Sequence, residues 1–170
     1  MNVIATLSDE TFLLNGTILP LNQPLSIFEN LLGRPNRVFK GQQLAPTGYR
    51  NNHRHIYDAL GITLLDHWAD QNIHDLTIHL APTDTFGACP NTMFTGTLIL
   101  LGHRINASSA WSIVKNNLIP PFRKFLGVNY SAKVGVYHIS LEFVTLRVRD
   151  KNGTKNVLSS VSVSLSSRTE

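Results

Sequence analysis

Several of the chain's seven histidines lie close enough in sequence to act together as metal ligands. His53 and His55 are two residues apart, so in a β-strand both imidazoles would point to the same face. The side chains that could complete such a site are Asp58, Asp66, His67 and His74. Because no HExxH or paired CxxC pattern accompanies these residues, we predict neither a bound metal nor a cofactor.

Nucleophilic catalysis would need an activated cysteine or serine. Cys89 is the only cysteine, and it lies between Ala88 and Pro90 in a predicted loop, without a helix N-terminus to activate its thiol. No GxSxG sequence surrounds a serine, and the carboxylates are too sparse to predict a glycosidase pair. We therefore predict that the chain is not an enzyme. The alternative is a small enzyme, or a ligand- or metal-binding domain, that uses the His53–His67 region.

The histidines would be positioned by the segment from Arg54 to Ile62, which predicts a strand that runs into a turn at Gly61. Residues 45–53 precede it and are polar, with a proline, a glycine and paired asparagines. We predict an exposed loop there, and a contact surface. Residues 73–80 follow and alternate between apolar and polar side chains, as expected of a half-buried strand.

Turn and helix signals organise the remaining sequence. Asn15-Gly16 predicts a two-residue type I′ hairpin, because both residues tolerate a positive φ. Pro24 and Gly33 bracket a short amphipathic helix. A second helix is predicted over residues 109–117, and one more helical turn over residues 122–126.

The last third of the chain predicts a long β-ribbon. Side chains alternate from Tyr137 to Phe143 and then cross to the other face at Val144, which indicates a β-bulge. We predict an α+β fold: a mostly antiparallel, strongly bent sheet of about nine or ten strands with two or three short helices packed on it. Residues 1–165 would form a single domain, with a frayed tail over residues 166–170.

Composition limits the function further. The 170 residues are 42% hydrophobic and 15% charged, so the chain can bury a substantial core. The net charge of +4 comes from scattered basic residues, whereas nucleic-acid binders usually cluster them, so we predict no nucleic-acid partner. No apolar segment reaches the ~18 residues of a membrane span, and none resembles a signal peptide. We therefore predict a cytoplasmic protein with no membrane partner.

Several stretches share their order with a known protein family. Residues 24–35 read PLSIFENLLGRP, residues 56–62 read IYDALGI, and residues 76–80 and 94–98 read LTIHL and FTGTL. A helix ending in LG-x-P, then YD-x-x-GI, then P-x-x-x-F-x-G resembles small bacterial immunity proteins that are encoded beside polymorphic toxins of type VI secretion and Rhs systems. The resemblance covers roughly residues 11–106, and its motifs are mostly structural.

The resemblance implies a protein that neutralises a cognate toxin by occluding it. No catalytic residues carry over from the family. Because the chain is basic, we expect a toxin surface that is acidic or mixed. Trp68 is a candidate anchor, since tryptophan is enriched at binding hot spots. The predicted toxin-binding residues are Tyr49, Arg50, Arg54, His55, Asp66, His67 and Trp68.

Oligomeric state is predicted from the C-terminal ribbon. A long ribbon at the edge of a sheet could pair with a second copy of itself, because edge strands carry unpaired backbone groups. We therefore predict a monomer or a weak homodimer.

Overall fold

A computed structural model describes residues 4–8, 11–19, 21–45, 48–67, 69–81, 88–108, 122–124, 129–148 and 153–165. These residues form fourteen strands and one helix. The small sheet contains β1 (Ile4–Leu7), β2 (Phe12–Leu14), β3 (Thr17–Ile18), β9 (Thr97–Leu100) and β10 (His103–Ile105). Its strand order is β10-β9-β1-β2-β3. Strands β1 and β9 pair in parallel, and the other neighbours in this sheet are antiparallel.

The large sheet contains nine strands. They are β4 (Gln23–Pro24), β5 (Arg37–Ala45), β6 (Gly48–Tyr57), β7 (Ile62–Asp66), β8 (Asn72–His79), β11 (Arg123–Lys124), β12 (Tyr130–Val134), β13 (Tyr137–Val148) and β14 (Gly153–Leu165). Their order is β11-β12-β13-β14-β8-β7-β6-β5, with β4 paired to β8. All pairs in this sheet are antiparallel.

The helix α1 (Leu25–Leu32) forms where the sequence predicts it. Pro24 precedes its first residue, and Gly33 ends it with a φ of 78°, a conformation that glycine adopts without strain. Phe28 and Leu32 bury its apolar face. The predicted helix over residues 109–117 lies outside the described residues. The predicted helical turn over residues 122–126 is wrong, because Arg123–Lys124 pairs with β12 as a strand.

The core lies against one face of the large sheet. In β8, Leu76 and Ile78 are fully buried in it, while Asp75 and Thr77 alternate with them on the other face. Val161 and Val163 of β14 continue the apolar face, and serines alternate with them. The alternation predicted for residues 73–80 is therefore confirmed, β14 shows the same alternation, and the large sheet has one polar face.

Two hairpin signals are confirmed in detail. Asn15 and Gly16 have φ values of 52° and 78°, which are the two positive values that a type I′ turn requires. In the C-terminal ribbon, the pairing of β13 with β14 shifts between Glu142 and Phe143, so the predicted bulge is present.

The predicted single, strongly bent sheet of about nine or ten strands is corrected in three respects. The strands divide into two sheets, neither the large nor the small one is strongly curled, and the described residues contain one helix. Curvature in sheets depends on bulges and glycine kinks. Gly41 pairs in register with Asn52, so it introduces no bulge into β5. The mostly antiparallel character is confirmed.

The predicted loop over residues 45–53 is also wrong, since residues 48–53 belong to β6 and pair with β5. These residues lack the apolar alternation of a half-buried strand, and among the described strands only β5 pairs with them. The C-terminal ribbon, in turn, does not form the edge of the sheet. Strand β8 pairs with β14 over Asp75 to His79, and β12 pairs with β13 over Tyr137 to Leu141.

Candidate functional site

The β5–β6 hairpin extends past the end of its neighbouring strand. Strands β5 and β6 pair along their whole length, from Arg37 opposite Ile56 to Ala45 opposite Gly48. Strand β7 pairs only with the stretch of β6 from Arg54 to Tyr57. We call the overhanging residues, 40–45 of β5 and 48–53 of β6, the arm. Tyr49 and Arg50, two of the predicted toxin-binding residues, lie in its β6 strand rather than in a loop.

The foot of the arm exposes apolar side chains. Val38 and Phe39 of β5 are 48% and 40% exposed, and Lys40 beside them is also exposed. Within the described residues, β5 is the terminal strand of the large sheet. An apolar pair on an edge strand is a recognised site for association with another chain.

Arg54 and His55 do not form one contact surface. They are neighbours in a strand, so their side chains point to opposite faces of the sheet. Arg54 is exposed on the polar face, whereas His55 is 8% exposed and pairs with the core residue Leu64. His55 is therefore a poor candidate for contact with a protein partner.

Asp66 joins the two histidines of β6. Its Oδ2 atom lies 2.9 Å from Nδ1 of His53 and 3.3 Å from Nε2 of His55. Its Oδ1 atom accepts a hydrogen bond of 2.6 Å from the backbone N–H of His53. An ionised carboxylate only accepts hydrogen bonds, so both contacts with that form require a proton on the ring nitrogen. Asp66 is buried and holds the arm to the end of β7.

The turn between β7 and β8 collects a second group of ligand-type side chains. His67, Asp70 and His74 each present a ligand atom, and these atoms lie within 4.8 Å of one another. The hydrogen bonds from His74 and from the backbone N–H of Asn72 hold the pKa of Asp70 below its ordinary value. His67 was predicted as a toxin-binding residue, while Trp68 lies outside the described residues. We call His67, Asp70 and His74 the turn cluster.

A polar cavity of about 400 Å³ opens on the polar face of the large sheet. Side chains from β6, β7, β8, β13 and β14 line it, and Cys89 contributes from the segment after β8. Of the predicted site residues, only Arg54 lines this cavity. None of His53, His55 and His67 does, so the predicted histidines do not converge there.

His79 is the most deeply buried charged-type side chain of the cavity, with 5% of its surface exposed. Burial lowers its pKa to about 4, with a further contribution from the positive charge of Arg54, so its imidazole is neutral at pH 7. Nε2 lies 3.0 Å from Oγ1 of Thr63, and Nδ1 has no hydrogen-bond partner among the described residues. Burial also raises the pKa of Asp75, which lies four residues earlier on the same face.

Sequence reasoning did not single out the cavity. The signal that could have found it is the polar phase of two strands: Asp75, Thr77 and His79 in β8, and the serines of β14. These strands are neighbours in the sheet, with Ser160 opposite His79 and Ser162 opposite Thr77. The pairing connects residues far apart in sequence, so neither strand alone indicates a shared cavity.

Two residues of the stretch IYDALGI, Asp58 and Gly61, have structural explanations. Asp58 accepts two hydrogen bonds from Arg37, at 2.8 and 2.9 Å, and one of 2.7 Å from the backbone N–H of Asn91. These contacts lower the pKa of Asp58. Gly61 has a φ of 68°, and a Cβ atom there would lie 2.1 Å from the backbone nitrogen of Phe94. Asp58 and Gly61 therefore both hold the segment after residue 88 against the β6–β7 turn.

The chain belongs to the family described as "Domain of unknown function (DUF7738)", which residues 4–115 match. No curated protein and no solved structure matches the chain. The family match includes the arm and the turn cluster and ends before β11. Because the family's description names no activity, the resemblance to immunity proteins stays a prediction. Among the described residues, no helix is long and apolar enough to cross a membrane.

Proposed function

We propose that this protein is an immunity protein that binds a cognate bacterial toxin and neutralises it by occlusion. The observation that carries the proposal is the edge strand β5, which exposes Val38 and Phe39 at the foot of an overhanging arm. A protruding edge fits a binding protein better than an enzyme, whose substrate needs a concave site.

The charge of the hairpin indicates the chemistry of the toxin surface. Between Arg37 and Tyr57 there is no aspartate or glutamate, and the basic residues are Arg37, Lys40, Arg50 and Arg54. Arg37 is engaged with Asp58, so the positive charge that the hairpin can offer a partner comes from Lys40 and Arg50 in the arm and from Arg54 beside it. An acidic or mixed surface on the toxin would complement them and would accelerate association at low salt.

The arm also offers backbone groups for recognition. An edge strand can pair with an extended segment of a partner, in which case main-chain hydrogen bonds give affinity and side chains give specificity. Phe39 and Val38 lie on opposite faces of β5, so a paired segment would meet an apolar side chain on each face. Aromatic and arginine side chains are also enriched at protein interfaces.

The test is co-expression of this chain with the toxin-like product of the neighbouring open reading frame. We expect co-purification and protection of cells that express the toxin. The double variant Phe39→Ala/Lys40→Glu should weaken binding by at least about 100-fold. Each change would remove a hot-spot contact, and two losses of about 2 kcal/mol are more than this factor requires. Protection should be lost together with binding.

A matched control comes from the other side of the large sheet. Val136 is 58% exposed in the turn between β12 and β13, and Lys133 is exposed nearby in β12. The double variant Val136→Ala/Lys133→Glu makes a comparable change in apolar surface and charge. We expect it to bind and protect like the wild type. Equal loss in both double variants, or no binding by the wild type, would refute the proposal.

The alternative is a small enzyme or a ligand- or metal-binding domain that uses the His53–His67 region. One observation favours it: Asp66 holds His53 and His55 together, and Nδ1 of His55 is buried without a partner among the described residues. An enzyme of this kind would have an activity that is lost in His55→Gln and retained in Phe39→Ala/Lys40→Glu. An immunity protein would instead lose toxin binding in Phe39→Ala/Lys40→Glu and retain it in His55→Gln.

A further inference from the structure

We propose that the turn cluster of His67, Asp70 and His74 binds one divalent transition-metal ion, with zinc as its best-matched occupant. The proposal concerns the isolated chain and does not depend on the proposed toxin. Among the described residues, this is the group of three ligand-type side chains whose donor atoms come close enough to share an ion.

The backbone of the turn places the three residues together. The N–H of His67 donates to the carbonyl of Asn72 at 2.9 Å, and the N–H of Gln71 donates to the carbonyl of His67 at 2.8 Å. Gln71 has a φ of 58°, which closes the turn. His74 follows in β8, two residues after the strand begins. The ligands are therefore held by a hairpin rather than by a long loop, so less conformational entropy is lost on binding.

The three side chains already bring their ligand atoms close to one another. The rings of His67 and His74 are stacked with their centroids 4.7 Å apart, and Nε2 of His74 lies 3.1 Å from Oδ2 of Asp70. Tetrahedral zinc with bonds of about 2.0–2.1 Å brings its ligand atoms to roughly 3.4 Å from one another. Binding therefore requires the donor atoms to move closer than the present limit of 4.8 Å and the two stacked rings to tilt so that both face the ion.

A second hydrogen bond orients the carboxylate. Oδ1 of Asp70 accepts a hydrogen bond of 3.0 Å from the backbone N–H of Asn72, which leaves Oδ2 directed at His74. Partners of this kind fix a metal ligand's orientation and contribute to affinity. An ion would replace the contact between Asp70 and His74 and would neutralise the charge of the carboxylate.

The ligand types select the class of metal. Two imidazoles and one carboxylate suit zinc and its neighbours in the first transition row, whereas calcium and magnesium prefer oxygen ligands alone. Three protein ligands leave at least one coordination position for water or for a group from another molecule. The side chains of His74 and Asp70 are 31% and 41% exposed, so that position is open to solvent.

The test is calorimetric titration of the full chain, free of any histidine tag, with zinc chloride in a non-coordinating buffer. We expect one saturable equivalent of zinc. His74→Gln and Asp70→Asn should each weaken binding by at least about 10–100-fold, the loss known even for residues that only orient a ligand. Circular dichroism should show that both variants keep the fold.

Two control variants decide where the ion binds. His138 is exposed on β13 and does not belong to the turn cluster, and His53 belongs to the neighbouring group around Asp66. His138→Gln and His53→Gln should bind zinc like the wild type. The proposal is overturned if the wild type shows no saturable binding, if the turn-cluster variants bind normally, or if His53→Gln abolishes binding while His74→Gln does not.

Discussion

The large sheet has two overhanging hairpins, and their bases differ in how far they are buried. The arm extends from the start of β6. The overhanging part of the C-terminal ribbon, residues 142–148 of β13 and 153–159 of β14, extends from the end of β13. Because successive strands of the sheet are antiparallel, these two hairpins point away from its opposite ends. A two-stranded hairpin alone is at best marginally stable in water, so each hairpin needs further contacts to stay folded.

The C-terminal ribbon is anchored at its base by several other segments. The N–H groups of Leu80 and Ala81 donate to the carbonyl of Ser159, and the N–H of Leu158 donates to the carbonyl of Ala107. Phe143 and Leu158 belong to the hydrophobic core. The ribbon is thus an extension of the folded body.

The arm has one comparable anchor, the buried carboxylate of Asp66 at His53. Its foot exposes Val38 and Phe39, where the base of the ribbon buries Phe143. The difference shows that the same hairpin topology can either bury its base in the core or leave apolar side chains exposed there. This distinction leads to three predictions about the isolated protein.

The largest effect should come from a matched pair of phenylalanine substitutions. Phe143 is 3% exposed and Phe39 is 40% exposed. Phe143→Ala should lower the free energy of unfolding by about 3–5 kcal/mol, because it leaves a cavity in the core. Phe39→Ala should lower it by less than about 1 kcal/mol. Urea denaturation measures both, and similar losses in the two variants would contradict the comparison.

The next largest effect should be a pH dependence of stability caused by His79, which pairs with Ser160 at the base of the ribbon. The pKa of His79 is lowered in the folded protein to about 4, from 6.5. The unfolded chain therefore takes up a proton first as pH falls, so His79 contributes stability above pH 6.5 that is lost between pH 6.5 and 4. The loss amounts to at most about 3 kcal/mol.

Denaturation curves recorded across this pH range test the assignment. His79→Gln should flatten the pH dependence of stability, because glutamine does not titrate. His138→Gln, which changes an exposed histidine of β13, should retain the slope of the wild type. An unchanged slope in His79→Gln would show that other groups cause the acid sensitivity.

The smallest effect should come from Tyr57, the last residue of β6. Its hydroxyl is buried without a hydrogen-bond partner among the described residues, and burial raises its pKa. Removing an unsatisfied buried hydroxyl is nearly neutral or stabilising, so Tyr57→Phe should raise the free energy of unfolding by up to about 1 kcal/mol. A thermal melt measures the change. A clear loss of stability would indicate that a bound water satisfies the hydroxyl.

Local signals in the sequence predicted the local parts of this fold. Asn15-Gly16 determines its turn through the backbone freedom of two residues, and α1 is delimited by Pro24 and Gly33. The alternation in β8 reports which side chains face the core, so its assignment as a strand is confirmed. Each of these features depends on residues within one or two turns of each other.

The features that sequence did not predict depend on distant pairing. The division into two sheets follows from the pairing of β1 with β9, and the polar cavity follows from the pairing of β8 with β14. The β6 half of the arm was predicted as a loop because residues 48–53 are mostly polar and lack apolar alternation. In the turn cluster, His67 and His74 were considered as ligands, but Asp70 joins them only through the conformation of the turn at Gln71.

The parallel pairing of β1 with β9 has a consequence for folding kinetics. Its partners, Ile4 and Thr97, are about 90 residues apart, so a long stretch of chain must be closed before any of these contacts forms. The hairpins of the large sheet close over far shorter distances and can form first. The pairing of β8 with β14 spans a similar separation, from His79 to Ser160, so we expect both long-range pairings to form late and to limit the folding rate. Until then, the apolar strand β9 would be open to misfolding and aggregation.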